Sequence, residues 1–331
     1  MHIFKNTNFD FLRWRVHAIV LSWAVIIAGA FVFFTKGMPL GVEFAGGTAV
    51  IEQFENAVTI DQVRTPIDKT FGSDAVVQYW GPQSERQFLI RVPNVGAESG
   101  TALTSVADQV EAALRQANLG TFARRGTEIV GPAVGQELRS KALLATVLSL
   151  IGLLAYIAFR FQFSFGVGAV VATVHDLLVT LAFIVMFRYD MTLNVIAAIL
   201  TITGFSTNDT IVIFDRIREN LRSMRRDSMK HIINVSINQT LGRTVITSGT
   251  ALLTALALFF FGGEVLHGFA FTMVVGIITG TYSSVFIAAA NVSFWRGSAP
   301  TRAAAHAPAS TSPAPAQQPQ RKQKPQKKRA S

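Results

Sequence analysis

The segment MTLNVIAAILTITGFSTNDTIVIF, residues 191–214, is a run of 24 mostly apolar residues that contains one charged side chain, Asp209. About 20 apolar residues form an α-helix long enough to cross the ~30 Å hydrocarbon core of a bilayer. A charge at the centre of such a helix is rare, because inserting it costs roughly 2.5–3.5 kcal/mol. The segment therefore predicts a membrane-spanning helix with one functionally or structurally important carboxylate.

Apolar runs of similar length recur along the chain. The six predicted spans are Val16–Phe34, Ala142–Phe159, Phe163–Phe187, Met191–Phe214, Leu241–Phe261 and Gly268–Phe294. Only 15% of the 331 residues are charged, whereas a soluble domain carries about a quarter. Cysteine is absent, which excludes disulfides, thiolate metal sites and a thiol nucleophile. The chain is expected to be a multi-pass membrane protein with its first span retained as an anchor rather than removed as a signal peptide.

The basic residues are segregated, and their distribution predicts the topology. Residues 215–243 contain 7 Lys/Arg and 3 Asp/Glu, and residues 296–331 contain 8 and none, whereas residues 37–141 contain 9 and 12. Another short loop carries Arg188 together with Asp190. Because Lys and Arg accumulate on the cytoplasmic side, both termini are predicted to be cytoplasmic.

This topology divides the chain into five parts. The predicted parts are a cytoplasmic N-terminus (1–15), transmembrane helix 1 (16–36), a periplasmic domain (37–140), a five-helix transmembrane region with a basic cytoplasmic loop at 215–240 (141–295), and a basic cytoplasmic tail (296–331). The tail holds 6 of the 11 prolines and is expected to be disordered. A solvated tail that enforces orientation is favoured over one that contacts anionic lipid or ribosomal RNA.

The segment 37–140 reads as a small α+β domain. The predicted strands are Thr48–Phe54, Ala75–Trp80, Gln87–Pro93 and Thr121–Val130, and the predicted helices are Thr59–Phe71 and Thr101–Asn118. Their order, β-α-β-β-α-β, is that of the ferredoxin-like fold. Val42-Glu43-Phe44 is interpreted as the start of a strand, followed by a glycine turn at Gly46-Gly47. The predicted fold class is a six-helix membrane bundle with a ferredoxin-like periplasmic domain.

Charged residues inside the spans are the candidates for chemistry. Asp209 in the fourth span and Arg243 at the entry to the fifth are predicted to lie at similar depth on neighbouring antiparallel helices. Such a pair would reduce the insertion penalty of both groups, and its opening and closing would let the carboxylate bind and release a proton. The alternatives are a structural ion pair, or an arginine that extends to the membrane surface.

The other candidates are a polar pair and a pair of glycines. His175-Asp176 lies near the middle of the third span. The pair is interpreted either as a hydrogen-bonded structural pair or as a second proton step. A metal site is not expected there, because no third ligand lies nearby in sequence. Gly276 and Gly280 have the spacing that lets membrane helices approach closely. No phosphate-binding loop or Ser/His/Asp grouping suggests an enzyme, and no cofactor is predicted.

Several strings resemble the motifs of one family. They are LGVEFAGGT (40–48), VGPAVGQEL (130–138), His175-Asp176, NDTIVIFDRIREN (208–220) and NQTLGRT (238–244). Together they resemble the SecD/SecF family of the RND superfamily, with Glu43 in place of the usual Asp. The length and the single six-span unit indicate a SecF-type member rather than SecD or a fused chain.

The resemblance implies an auxiliary, non-enzymatic subunit of the bacterial inner membrane that uses the proton-motive force, together with SecD, to promote protein translocation. Its implied partners are SecD, the SecYEG channel with accessory subunits, exported polypeptides and membrane lipids. It also implies that Asp209 and Arg243 carry the proton step, with Asp176 and Asn208 as further candidates. The structural motif residues are Gly46, Gly47, Gly131, Pro132, Gly135, Gly276 and Gly280. A proton-driven RND exporter of small molecules or lipids, or a passive membrane scaffold, are the alternative functions.

Overall fold

The computed structural model describes residues 7–72, 75–93, 100–160 and 163–297. Six helices in this part of the chain are long and apolar enough to cross a membrane. They are α1 (Arg15–Lys36), α5 (Pro132–Arg160), α6 (Phe163–Met186), α7 (Leu193–Ser223), α8 (Met229–Phe261) and a last span that consists of α9 (Glu264–Ser283), a π-helical segment (Ser284–Ala288) and α10 (Ala289–Gly297). The protein is a multi-pass membrane protein, as predicted.

Three of these helices extend well beyond the apolar runs that predicted them. Helix α5 begins at Pro132, and α7 continues to Ser223. Helix α8 begins at Met229, where the hydroxyl of Ser228 accepts a hydrogen bond from the amide of His231 at 3.3 Å. Hydropathy marks only the part of a helix that lies in hydrocarbon, whereas backbone hydrogen bonds and caps determine where the helix ends. The predicted basic loop 215–240 is therefore mostly helical.

The region between α1 and α5 contains a four-stranded sheet. Its elements are β1 (Gly47–Phe54), α3 (Ile60–Phe71), β2 (Val76–Tyr79), β3 (Gln87–Val92), α4 (Gly100–Gln116) and β4 (Phe122–Val130). Each predicted strand and helix is present within two residues of its predicted bounds. The strand order is β2-β3-β1-β4, and every neighbouring pair is antiparallel. We call residues 42–130 the sheet domain.

One face of this sheet packs against α3 and α4. Val50 and Phe88 of the sheet meet Val63 of α3 and Leu114 of α4 in one core, and these four side chains are fully buried. The opposite face of the sheet carries Ala49, Leu89 and partly buried apolar neighbours. This second face is turned toward the ends of the membrane helices, because it shares a cavity with residues of the α6–α7 loop.

The segment Val42–Ala45 is a one-turn helix, α2, and its interpretation as the start of a strand was wrong. Val42 packs with the open face of the sheet, whereas Phe44 packs with Ile184 and Val195 of the membrane helices. The alternation of apolar residues arose because this segment lies between two apolar bodies, and not because it lies on a sheet. Gly46 ends the turn with a φ of 69°.

Helix α7 is the central helix of the bundle. It packs against α6, α8 and α9, and buried residues recur along its whole length. Helices α1, α5 and α8, by contrast, expose most of their apolar surface. The predicted tail falls, from residue 298 onward, outside the described residues, as do residues 1–6 of the predicted N-terminus.

Candidate functional site

Asp209 is buried in the middle of the bundle, on the face of α7 that meets α8. Asp209 is 3% exposed, and its Oδ2 accepts a hydrogen bond from the hydroxyl of Ser248 at 3.2 Å. Buried polar residues flank it on the same helix, at Thr207 and Thr210. Burial of a carboxylate in this position costs little free energy only when the group accepts a hydrogen bond or binds a proton. Ser248 supplies one donor.

Arg243 lies near enough for its positive charge to act on this carboxylate, but it does not contact it directly. It is exposed on α8, and no ion pair or hydrogen bond joins it to Asp209 in the described part of the chain. Arg243 precedes Ser248 by five residues, which corresponds to about 7–8 Å along the helix and about 140° around it. The predicted direct pair is therefore absent from this conformation. The sequence placed both residues on neighbouring helices but did not determine which face of α8 carries the arginine.

Asn208 is exposed on α7, although it is adjacent to the buried carboxylate. Successive residues of a helix point about 100° apart, so the two side chains leave α7 in different directions. Asn208 and Arg243 thus lie on the apolar surface of the bundle, rather than in its interior.

A second polar cluster surrounds Asp176 and joins four helices. His175 Nδ1 lies 2.9 Å from Asp176 Oδ1, and the hydroxyl of Ser206 on α7 donates a hydrogen bond to Asp176 Oδ2. On its other side, His175 Nε2 lies 3.3 Å from the hydroxyl of Tyr282, which lies 2.9 Å from the hydroxyl of Ser22 on α1. The adjacent His and Asp therefore contact each other, and the chain of hydrogen bonds continues across the bundle.

The two clusters are linked through α7, because Ser206 and Asp209 are three residues apart and lie on one face of the helix. The hydroxyl partners at Ser22, Ser206, Ser248 and Tyr282 were not identified from the sequence. A search for hydroxyls one turn from each carboxylate would have found Ser206. The others require the packing of different helices, and hydroxyls in helices commonly bond to their own backbone, as Thr207 does.

The glycine pair in the last span faces this region. A Cβ placed on Gly276 would collide with the side chain of Ile202, and one placed on Gly280 would lie 2.7 Å from the Cβ of Ser206. These glycines therefore bring α9 directly against α7, beside the serine that binds Asp176. The two glycines therefore form a surface at which two helices of the same chain approach each other closely.

The other motif glycines lie where the sheet domain joins the membrane helices. Gly46 and Gly47 have φ values of 69° and 131°, and Pro132 is the first residue of α5. A Cβ on Gly135 would lie 3.2 Å from the backbone nitrogen of Gly46, so two distant motifs meet in space. Gly131 accepts a hydrogen bond from the amide of Gly135 at 2.9 Å and faces open space.

The titratable groups were also compared with the requirements of a metal site. Within the described ranges, no three His, Asp or Glu side chains lie close enough together to hold a metal ion. In the cluster of Asp176, the remaining polar groups are hydroxyls of serine and tyrosine, which fit a hydrogen-bonded network.

Comparison with known proteins assigns the family. The model of the SecD/SecF protein export membrane proteins, C-terminal part, matches residues 109–298, and the model of the SecD/SecF GG motif matches residues 31–56. The chain belongs to the SecD/SecF family, and the resemblance of its sequence motifs is confirmed. It is similar to proteins named protein translocase subunit SecF: 41% identity to that of Desulfurispirillum indicum, over 86% of this chain and 91% of the relative, and 36% to that of Escherichia coli O157:H7, over 85% and 86%.

Solved structures of SecDF share the fold. The crystal structure of SecDF from Thermus thermophilus, a translocon-associated membrane protein, matches with a TM-score of 0.76 and 36% identity. A second structure, of SecDF in its super-membrane-facing form, matches with a TM-score of 0.63 and 35% identity. The match covers 88% of this chain but 39% of the first SecDF chain, so this chain spans about two fifths of that protein.

Proposed function

We propose that this chain is a SecF-type subunit of the bacterial protein-export machinery, which works with SecD and the SecYEG channel and draws on the proton-motive force. The names of its relatives and its match to SecDF support the role in translocation. The observation that carries the proton-driven part is Asp209, a carboxylate buried within the bundle and bonded to one hydroxyl. Ionisable groups in membrane spans mark proton and substrate pathways.

An uncovered surface supports the partnership with SecD. Arg243 and Asn208 are exposed on α8 and α7, which pack against each other in the bundle. An arginine in contact with lipid alone costs roughly 2.5–3.5 kcal/mol at the helix centre and less near the end of a span, where Arg243 lies, and a polar partner surface removes that cost. SecDF contains more than twice the length that this chain matches. We propose that SecD supplies the second helical unit and covers Arg243.

We propose that Asp209 and Arg243 form a proton relay when the two groups approach each other. Proton binding and release at Asp209 would accompany the separation and approach of Arg243, whose charge remains fixed because arginine does not deprotonate in proteins. Movement of each proton across 100 mV supplies about 2.3 kcal/mol. The cluster of Asp176 and His175 touches the same face of α7 through Ser206, and would position the helix or carry a second proton step.

The sheet domain would act on the exported chain. We propose that it is a ferredoxin-like domain on the periplasmic side of the inner membrane, with both termini of the protein in the cytoplasm. The strand order β2-β3-β1-β4 and the two helices on one face support the fold, and the segregation of basic residues supports the orientation. The domain would hold exported polypeptides as they leave the channel.

The test is the substitution Asp209→Asn in vesicles that carry the chain together with SecD and the channel. We expect loss of gradient-dependent export with unchanged gradient-independent export, membrane insertion and co-purification with SecD. Asp215→Asn, six residues later on α7 at a partly exposed site 3.6 Å from Arg160, is the matched control and is expected to retain export. Normal gradient-dependent export by the Asp209→Asn protein would refute the relay.

A further inference from the structure

A polar contact joins the sheet domain to the beginning of α7. Arg91 of β3 forms an ion pair with Asp190 of the α6–α7 loop, with Nη2 2.9 Å from Oδ1. The other amino group of Arg91 donates a hydrogen bond to the carbonyl of Leu40 at 2.7 Å. Gln78 of β2 donates to Asp190 Oδ2 at 3.2 Å and accepts from Arg91 at 3.4 Å. We call these four residues, Leu40, Gln78, Arg91 and Asp190, the α7 joint.

Backbone hydrogen bonds reinforce the α7 joint. The amide of Met191 donates to the carbonyl of Pro39, and the amide of Gly41 donates to the carbonyl of Met191, both at 2.8 Å. Thr192 then caps α7 by accepting a hydrogen bond from the amide of Val195 at 3.2 Å. The loop is therefore attached to the sheet domain on one side and to the first turn of α7 on the other. Only Met191 and Thr192 separate Asp190 from Leu193, the first residue of α7.

The ion pair is shielded enough to be a specific link. The side chains of Arg91 and Asp190 are 12% and 17% exposed, whereas the surface pair of Arg64 and Asp61 on α3 is 45% and 82% exposed. Exposed pairs contribute little, because solvent screens them and both side chains lose freedom. A shielded arginine–carboxylate pair with further hydrogen bonds is stronger and more directional.

Glu43 adds a second charged group to the same place. It lines a cavity of about 290 Å³ together with Arg91, Asp190 and the open face of the sheet. Burial raises the pKa of this carboxyl, and the negative charges of Glu128 and Asp190 raise it further, although the amides of Glu43 and Leu193 act in the opposite direction. Leu193 is the first residue of α7. The GG-motif segment thus meets the sheet-side end of that helix.

The route from this end to the relay is one rigid element. Helix α7 runs without interruption from Leu193 to Ser223 and carries both Ser206 and Asp209. Asp209 lies 16 residues from Leu193, which is about 24 Å along the helix axis. A displacement of α7 that accompanies a proton step is therefore delivered to Asp190 and, through Arg91, to β3.

We propose that the Arg91–Asp190 ion pair transmits movement of α7 to the sheet domain, and that both are positioning residues for proton-driven export. This inference rests on the proposed function, because it requires the proton step at Asp209. Neither residue touches the reacting proton. Their role is to convert helix movement into movement of the domain that handles the exported chain.

The experiment measures gradient-dependent export and proton movement in the same vesicles, with SecD and the channel present. We expect Arg91→Gln and Asp190→Asn each to reduce the stimulation of export by the gradient on the order of tenfold, within the range of measured coupling between sites. Proton movement should continue, because Asp209 and its surroundings are intact. Arg64→Gln, which breaks the exposed pair on α3, is the matched control and should behave as the wild type.

Two further variants restore the link. The exchange Arg91→Asp with Asp190→Arg should recover export, and so should a short thiol cross-linker between cysteines introduced at positions 91 and 190 of this cysteine-free chain. Recovery in either arm supports transmission. Wild-type export by both single variants, equal loss of export and proton movement in both, or no recovery in either arm would overturn the inference.

Asp209→Asn in the same assay separates this inference from the proposed function. If that variant keeps normal export and proton movement, the relay is wrong whatever the joint variants do. If it loses both while Arg91→Gln and Asp190→Asn behave as the wild type, the relay stands and only the transmission is refuted.

Discussion

Glu52 gives the sheet domain a pH-dependent stability that can be calculated and measured. Glu52 lies in β1, and its side chain is fully buried between the sheet and α4. Neither of its carboxylate oxygens has a hydrogen-bond partner within the described residues. Its nearest cation, Arg124 Nε, lies at 3.8 Å, and the same arginine also pairs with Asp108 and Glu111. Burial, followed by the negative charge of Glu111, raises the pKa of Glu52 from 4.5 to about 7.

Ionisation of Glu52 makes the sheet domain less stable as the pH rises. Because the pKa is higher in the folded domain, the folded state binds the proton more tightly, and ionisation of Glu52 destabilises it. The penalty is absent below pH 4.5, grows between 4.5 and about 7, and is complete above that range. At 1.36 kcal/mol per pH unit, the full difference is about 3 kcal/mol. The contribution of Glu52 to the free energy of unfolding therefore falls by that amount as the pH rises.

The perturbation is Glu52→Gln, which keeps the size of the side chain and removes its titration. Hydrogen exchange of the amides of β1 and β4, corrected for the intrinsic rate at each pH, measures the free energy of opening in the full-length protein. We expect the difference between variant and wild type to change by about 3 kcal/mol in favour of the variant between pH 4.5 and 8. A constant offset from the new amide does not affect this slope.

Glu55→Gln, which removes an exposed carboxylate just after β1, controls for the loss of one negative charge and should leave the slope nearly unchanged. Parallel pH profiles of Glu52→Gln and wild type would refute the reasoning, because they would show that Glu52 titrates alike in the folded and unfolded domain.

Three further substitutions test the packing. Gly47→Ala should destabilise the sheet domain by about 1–3 kcal/mol in hydrogen exchange, because alanine is strained at a φ of 131°, whereas Gly131→Ala, which faces open space, should be nearly neutral; equal effects would contradict this. Gly276→Ala should destabilise the bundle by about 1–3 kcal/mol through overpacking against α7, which lowers the thermal unfolding temperature in detergent, and Gly152→Ala on α5, with no neighbour within 4 Å, should not. Tyr282→Phe should cost about 1 kcal/mol by removing the hydroxyl that joins α1 to α6, and an unchanged unfolding temperature would argue against that link.

Much of the architecture was predictable because its signals are local. The six spans follow from the length of apolar sequence that hydrocarbon requires, and the four strands follow from alternation and turn residues. The short helix at Val42–Ala45 was missed because alternating burial between two different bodies imitates a strand. The glycine motifs were recognised as strings, but contact between Gly46 and Gly135 appears only when β1 pairs with β4.

The candidate site likewise combines features that the sequence predicts with features that only the packed structure shows. The sequence by itself determined that Asp209 and Asp176 lie inside membrane spans and that Arg243 lies on the next helix, because position along a helix is proportional to residue number. Only the tertiary structure decided that Ser248 binds Asp209, that Arg243 is an exposed residue of α8, and that Arg91 meets Asp190. The rotation of each helix about its axis, and the docking of a domain on helix ends, depend on how side chains from distant segments fit together. That fit is a property of the packed molecule and has no signal in any single segment.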